Sequence, residues 1–203
     1  MRIAVIGATG NVGSRLTNEL VRRGHQVTGV TRQVDPNKQH TVPPLVAGDI
    51  HDPAGLAKLI SGHDAVVHSV HFLDSDAAKF ISAVKKAGVG RLLVVGGSGS
   101  LEVAPGVELI DTPGFPAEYK AEAQAGREFL KVLRREDQLN WTYLSPCAIF
   151  APGERTVKFR LGKDQLLVGA NGQSRISMED FAIALTDEIE HPRHIREGFT
   201  VGY

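Results

Sequence analysis

One pattern at the amino end of the chain leaves little choice of fold. An apolar run, Arg2-Ile3-Ala4-Val5-Ile6, meets the glycine-spaced turn Gly7-Ala8-Thr9-Gly10-Asn11-Val12-Gly13. An amphipathic stretch to Arg23 follows, and then Gly24-His25-Gln26-Val27-Thr28-Gly29-Val30-Thr31-Arg32. This order predicts a strand, a tight turn, a helix and a second strand. Gly7 permits a turn that a side chain would obstruct. Gly13 falls on the first helical turn, where a small residue lets the helix lie close to the strand. Gly10 leaves the backbone bare. Thr9 and Asn11 are placed to cap free N–H groups or to bond an anionic oxygen, and Val12 completes the turn. Amides exposed at a helix amino end suit one ligand group above others, a pyrophosphate. The spacing is G-x-x-G-x-x-G rather than the commoner G-x-G-x-x-G, so the flanking strand and helix carry the inference.

Apolar and amphipathic segments alternate along the rest of the chain. Strands are expected at Leu45–Ala47, Ala65–Val70, Arg91–Val95, Trp141–Leu144 and Gly198–Val201. Helices are expected from Pro53 to about Gly62, at 74–86, at 117–135 and at 178–190. Asp52 and Ser177 stand as N-caps, and Pro53 takes the first helical position. The apolar strands are nearly unbroken, as strands covered on both faces should be. The fold class is therefore α/β, a Rossmann-like doubly wound parallel sheet with helices on both faces and a small C-terminal cap. Residues 1–203 read as a single NAD(P)-binding domain, with a core at 1–150 and a substrate-side segment at 151–203.

Composition excludes several classes. Lys plus Arg number 23 and Asp plus Glu 23, so no basic footprint for nucleic acid exists. No apolar stretch spans a bilayer, so no membrane partner is expected. A lone cysteine, Cys147, fits a reducing compartment. The first strand begins beside Met1, and a cytoplasmic monomer or homodimer is the expectation. No metal site is expected: His63, His68 and His71 do not converge on an extended strand.

Ligands of a doubly wound sheet lie beyond the carboxyl ends of its strands. That rule selects Gly7 to Gly13, then Arg32, then Asp49 and Ile50 beside an adenine, then Ser69, Val70 and His71 beneath a ribose. It also selects Gly97, Ser98 and Ser100, and Pro146, Cys147, Ala148 and Ile149 next to a nicotinamide. An acid at the end of the second strand would favour NAD. Here the position reads Thr31-Arg32, with Asp35 further on, and a guanidinium suits a 2′-phosphate, so NADP(H) is preferred over NAD(H). His71 reads as a loop histidine beside the cofactor, because the sequence identifies no carboxylate partner for it. Cys147 reads as a small buried thiol at the pocket wall. Ser98, Tyr119 and Lys120 are the candidate catalytic groups. A Tyr-x-x-x-Lys pair would put both side chains on one helical face, but Ala123 stands four residues after Tyr119. Phe72, Phe115, Phe150 and Ile149 are candidate apolar walls.

Taken together, these motifs resemble the atypical short-chain dehydrogenase/reductases, in the NAD(P)H-binding group of NADH-flavin reductase-like proteins related to biliverdin reductase B. The resemblance spans nearly the whole chain. It rests on Gly7–Gly13, Gly48-Asp49-Ile50, the run Val95 to Val103, and Asp111-Thr112-Pro113-Gly114-Phe115-Pro116. It extends to Trp141–Pro146, Pro152-Gly153-Glu154-Arg155-Thr156, Ser174-Arg175-Ile176-Ser177 and Phe199–Tyr203. The resemblance implies a Rossmann fold, bound NAD(P)(H) and flavin as a possible substrate. The resulting expectation is an oxidoreductase that passes hydride to a small planar acceptor, a flavin or quinone. The rival is an NADP-binding redox sensor of the NmrA-like type, without turnover. Nucleotide-sugar epimerase chemistry fits less well, since it wants the missing Tyr/Lys pair and a larger substrate domain.

Overall fold

The computed structural model describes residues 1–34 and 43–203. Asp35 and most of the proline-containing loop that follows it lie outside the described residues. Eight strands form one sheet: β1 (Arg2–Ile6), β2 (Gln26–Thr31), β3 (Leu45–Ala47), β4 (Ala65–His68), β5 (Arg91–Val95), β8 (Asn140–Pro146), β10 (Arg160–Gly162) and β12 (Glu197–Gly202). Two small pairs complete the strands: β6 (Glu102–Ala104) with β7 (Val107–Glu108), and β9 (Ile149–Ala151) with β11 (Arg175–Ser177). The sheet order is β10-β12-β8-β5-β4-β1-β2-β3. Every pairing in it is parallel except that of β10 on β12. The chain reverses direction of travel between β1 and β4, which opens the crevice characteristic of doubly wound sheets.

The five helices are α1 (Asn11–Arg22), α2 (Pro53–Ile60), α3 (Ala77–Lys86), α4 (Ala117–Leu133) and α5 (Met178–Glu190). Successive strand residues point to opposite faces, and each face finds its own helices. Ile3 and Val5 of β1 pack with Leu16 and Leu20 of α1 and Phe181 and Leu185 of α5. Ala4 and Ile6 pack on the other face, in the cluster holding Leu56 and Ile60 of α2, Phe80 of α3 and Phe129 of α4. The unbroken apolar strands of the sequence are thus covered twice.

Local signals placed most boundaries. The Asp52 side chain accepts from the Gly55 N–H, and Ser177 accepts from the Asp180 N–H, as capping residues should. Three expectations are corrected. The strand expected at 65–70 ends at His68, because Ser69 and Val70 turn away over the glycine loop. The helix expected from 74 begins at Ala77, because 72–74 close a separate 3-10 turn and Asp76 caps the helix at the Lys79 N–H. The stretch expected as a loop, 101–116, contains the β6–β7 hairpin. Glu102 fastens that hairpin to the C-terminal segment, its N–H donating to the Asp164 carbonyl at 2.7 Å and its carbonyl accepting from Leu166 at 2.9 Å.

His68, at the end of β4, is fully buried among Phe72, Phe80 and Phe129. Its Nε2 meets the Ser75 hydroxyl at 2.9 Å, while Nδ1 has no partner among the described residues. Burial alone pushes its pKa down from 6.5 to about 3. The native state then refuses a proton that the unfolded chain accepts below pH 6.5. Stability is complete above that value and is lost as pH falls towards about 3. Between about pH 6.5 and 5 this one group should cost about 2 kcal/mol. Urea unfolding of wild type and His68→Phe at those two pH values tests this: the variant should lose markedly less stability on acidification, and equal losses refute it.

Candidate functional site

The crevice is built around Gly7. Its φ is +86°, a conformation natural to glycine. A Cβ there would lie 2.2 Å from the Ser69 carbonyl oxygen, so the turns after β1 and β4 touch. A Cβ on Gly13 would lie 2.0 Å from the Gly7 carbonyl oxygen, which fixes how closely α1 approaches β1. Gly10 differs. A Cβ there would meet only the Gly7 carbonyl oxygen, at 3.3 Å, and otherwise opens outward. Its φ of −70° suits any residue. Packing thus demands glycine at 7 and 13 but only weakly at 10.

The amino end of α1 is free to take an anion. No side chain caps it, and its first turn holds no acidic residue. The first amides of a helix have no partner within it and sit at the positive end of its dipole. Thr9 does not cap them; its hydroxyl lies 3.2 Å from that of Thr31. Asn11 and Val12 open the helix, Asn11 exposed and Val12 half-buried. These residues fit a pyrophosphate. Arg15 steadies the turn from behind. It donates to the Asn11 carbonyl at 2.7 Å and pairs with Glu179 of α5, whose other oxygen accepts from the Gly153 N–H at 2.8 Å. Arg15 and Glu179 were not singled out in the sequence, since 164 residues separate them.

The remaining candidates take distinct places. Arg32, just past β2, is exposed and has no hydrogen bond or ion pair among the described residues. Asp49 is exposed, with one oxygen accepting from the His51 N–H at 2.8 Å, and Ile50 is half-buried. Ser69 and Val70 flank the glycine turn. The Gly97 N–H is engaged, donating to the buried Tyr143 hydroxyl at 3.1 Å. Burial raises the Tyr143 pKa, so that phenol stays neutral. Ser98 lies half-buried in the turn after β5, and its hydroxyl has no partner among the described residues. Pro146 and Cys147 are buried, whereas Ala148 and Ile149 are exposed. The Cys147 thiol faces the Leu167 carbonyl at 3.4 Å, and burial raises its pKa, so its side chain does not line an open wall. Phe72 belongs to the aromatic core and Phe150 packs on Phe181, so neither is a free wall.

Tyr119 and Lys120 are both exposed in the first turn of α4. The position where a Tyr-x-x-x-Lys pair would carry lysine is Ala123. A Cβ on Gly99 would lie 2.9 Å from the Ala123 Cβ, so the serine-bearing turn packs directly against that spot.

One expectation about His71 is overturned. A carboxylate does stand beside it: Glu122 Oε1 lies 3.4 Å from His71 Nδ1. Glu122 also accepts from the N–H groups of Phe72 at 2.7 Å and Leu73 at 3.1 Å.

A family model described as NAD(P)H-binding matches residues 7–192. The chain belongs to the NAD(P)H-binding family. Among similar members, the uncharacterized protein YwnB of Bacillus subtilis is 41% identical over 99% of this chain and 98% of its own. The crystal structure of a candidate epimerase from Bacteroides thetaiotaomicron is 40% identical, with a TM-score of 0.93 over 100% of this chain and 96% of that one. That of a candidate NADH-flavin reductase from Streptococcus pneumoniae is 33% identical, with a TM-score of 0.86 over 100% and 99%. No helix among the described residues is long and apolar enough to cross a membrane.

The three glycines should separate by experiment. Gly7→Ala and Gly13→Ala should each destabilise the fold by at least about 3 kcal/mol, because the obstructing atoms are backbone. Gly10→Ala should cost about 1 kcal/mol or less in thermal unfolding, yet weaken NADPH binding at least about tenfold in calorimetry. Unchanged affinity would show that Gly10 does not line the phosphate site.

Proposed function

We propose that the protein is an NADP(H)-dependent reductase that passes hydride to a flavin, a quinone or a similar planar acceptor. The observation that carries the reading is the uncapped amino end of α1 with its open Gly10, in a chain of the NAD(P)H-binding family. The amides of Gly7 to Gly13 would hold the pyrophosphate, with Asp49 and Ile50 at the adenine. Ser69, Val70 and His71 would lie at the nicotinamide ribose, and Pro146 to Ile149 at its ring, Cys147 through backbone only. When bound, the reduced coenzyme supplies a hydride. The protein's part is to hold the acceptor beside it and keep water out.

The acceptor class is supported by the Streptococcus pneumoniae neighbour, described as a candidate NADH-flavin reductase, and by the alanine that stands where a Tyr-x-x-x-Lys pair would carry its lysine. Planar conjugated acceptors spread the incoming charge and depend less on a strong acid. The Bacteroides neighbour is described as a candidate epimerase, but epimerase chemistry of this fold would want a tyrosine–lysine pair, and Ala123 stands in place of its lysine. A redox sensor without turnover is the second reading, favoured by the exposure of both Tyr119 and Lys120.

Preference for NADP(H) rests on Arg32, an exposed guanidinium with no partner among the described residues at the carboxyl end of β2. Arg32→Ala should raise the NADPH dissociation constant about tenfold or more, and the NADH constant less than about threefold. Equal losses would remove its role as phosphate reader. Oxidation of NADPH by FMN or 1,4-naphthoquinone, above the protein-free rate, tests the reductase reading. Tight NADPH binding with no turnover would favour the sensor.

A further inference from the structure

Reducing a carbonyl or quinone oxygen takes one hydride and one proton. With no Tyr-x-x-x-Lys pair, the proton needs another source. We propose that His71 Nε2 donates it, with Glu122 as the residue that positions the ring. This rests on the reductase reading above.

Three observations converge. The first is place. His71 directly follows Ser69 and Val70, which lie against the glycine turn at Gly7, so the chain at His71 leaves the carboxyl end of β4 beside the crevice between β1 and β4. The second is the fixed carboxylate. Glu122 projects from α4, and its two oxygens accept from the N–H groups of Phe72 and Leu73. Anchored at both oxygens, it cannot follow a moving ring. It is a fixed negative charge, and His71 Nδ1 lies 3.4 Å from its Oε1, within ion-pair distance. A carboxylate at Nδ1 selects the tautomer with hydrogen on that nitrogen and leaves Nε2 as the outward, exchangeable position. The third is that the ring has no structural task. Glu122 by itself secures the turn at 72–74, and the His71 side chain is 82% exposed, burying almost nothing. Neither Asp74 on the same turn nor Glu118, Tyr119 or Lys120 in the first turn of α4 makes a hydrogen bond or ion pair to His71 among the described residues.

The step balances. The acceptor gains the hydride with its electron pair, and negative charge develops on its oxygen. The Nε2–H bond of the imidazolium breaks, an O–H bond forms, and a neutral imidazole remains beside Glu122. Solvent reprotonates the exposed ring. Positioned proton donors typically contribute about 10²-fold or more.

The test uses the full chain with NADPH and 1,4-naphthoquinone. His71→Ala should lower kcat about 10²-fold, a loss well beyond any weakening of NADPH binding. Added imidazole should restore part of that rate in the variant and none in wild type. Glu122→Gln should lower kcat about tenfold or less. Its ¹⁵N spectrum at alkaline pH should show the His71 hydrogen moved from Nδ1 towards Nε2, a signature that a purely structural carboxylate would not give. Wild-type turnover with an unaffected His71→Ala overturns the donor role alone. Weakened NADPH binding in His71→Ala without a kcat loss assigns the ring to the ribose instead and also overturns it. NADPH binding without turnover in wild type overturns the reductase reading and the donor role together.

Discussion

The structure depends on one steric constraint, the contact of the Gly7 peptide with two other segments. The Ser69 carbonyl presses on Gly7 from the β4 side, and Gly13 packs onto the Gly7 carbonyl from α1. A single methyl at either glycine would meet backbone that cannot yield. The contact brings α1 so close that its first amides open over the carboxyl edge of the sheet. It also brings the segment after β4, with Ser69, Val70 and His71, to the same edge. The open amino end of α1 and the segment after β4 are therefore set by one junction.

Around that junction the helix end is left deliberately bare. A capping side chain or a first-turn acid would stabilise α1 by about 1 kcal/mol, and the chain has neither. The other two caps with sequence signals, Asp52 and Ser177, are made as expected. Stabilisation of α1 comes instead from its sides, through packing on β1 and α5 and through the Arg15–Glu179 pair that links Asn11 to Gly153. A buried Glu19 adds to this by receiving Arg22, Arg23 and Arg155. The segment from Pro152 to Lys158 is thus bound to α1 by charge, and the C-terminal part of the chain helps to brace the cofactor turn.

Where sequence reading succeeded, the relevant forces act within a few residues. Caps, proline at a helix start and the two-residue alternation of buried strands are of this kind. Where it erred, a distant element intervened. His71 seemed to lack a carboxylate because Glu122 stands on another helix, held there by the Phe72 and Leu73 amides. Cys147 was placed at the pocket wall by its position after β8, but the neighbouring Leu167 segment covers it. Phe72 was offered as a wall and instead completes the aromatic cluster around His68.

The sequence by itself determined the strand–turn–helix unit, the doubly covered sheet and the resemblance to a nucleotide-binding group, because hydrophobic period and glycine sterics are local properties of the chain. Tertiary structure alone decided that β12 lies between β8 and β10 and that His71 and Glu122, far apart in sequence, stand side by side. Those outcomes follow from crossover connections, which set distances between residues that no spacing along the chain encodes.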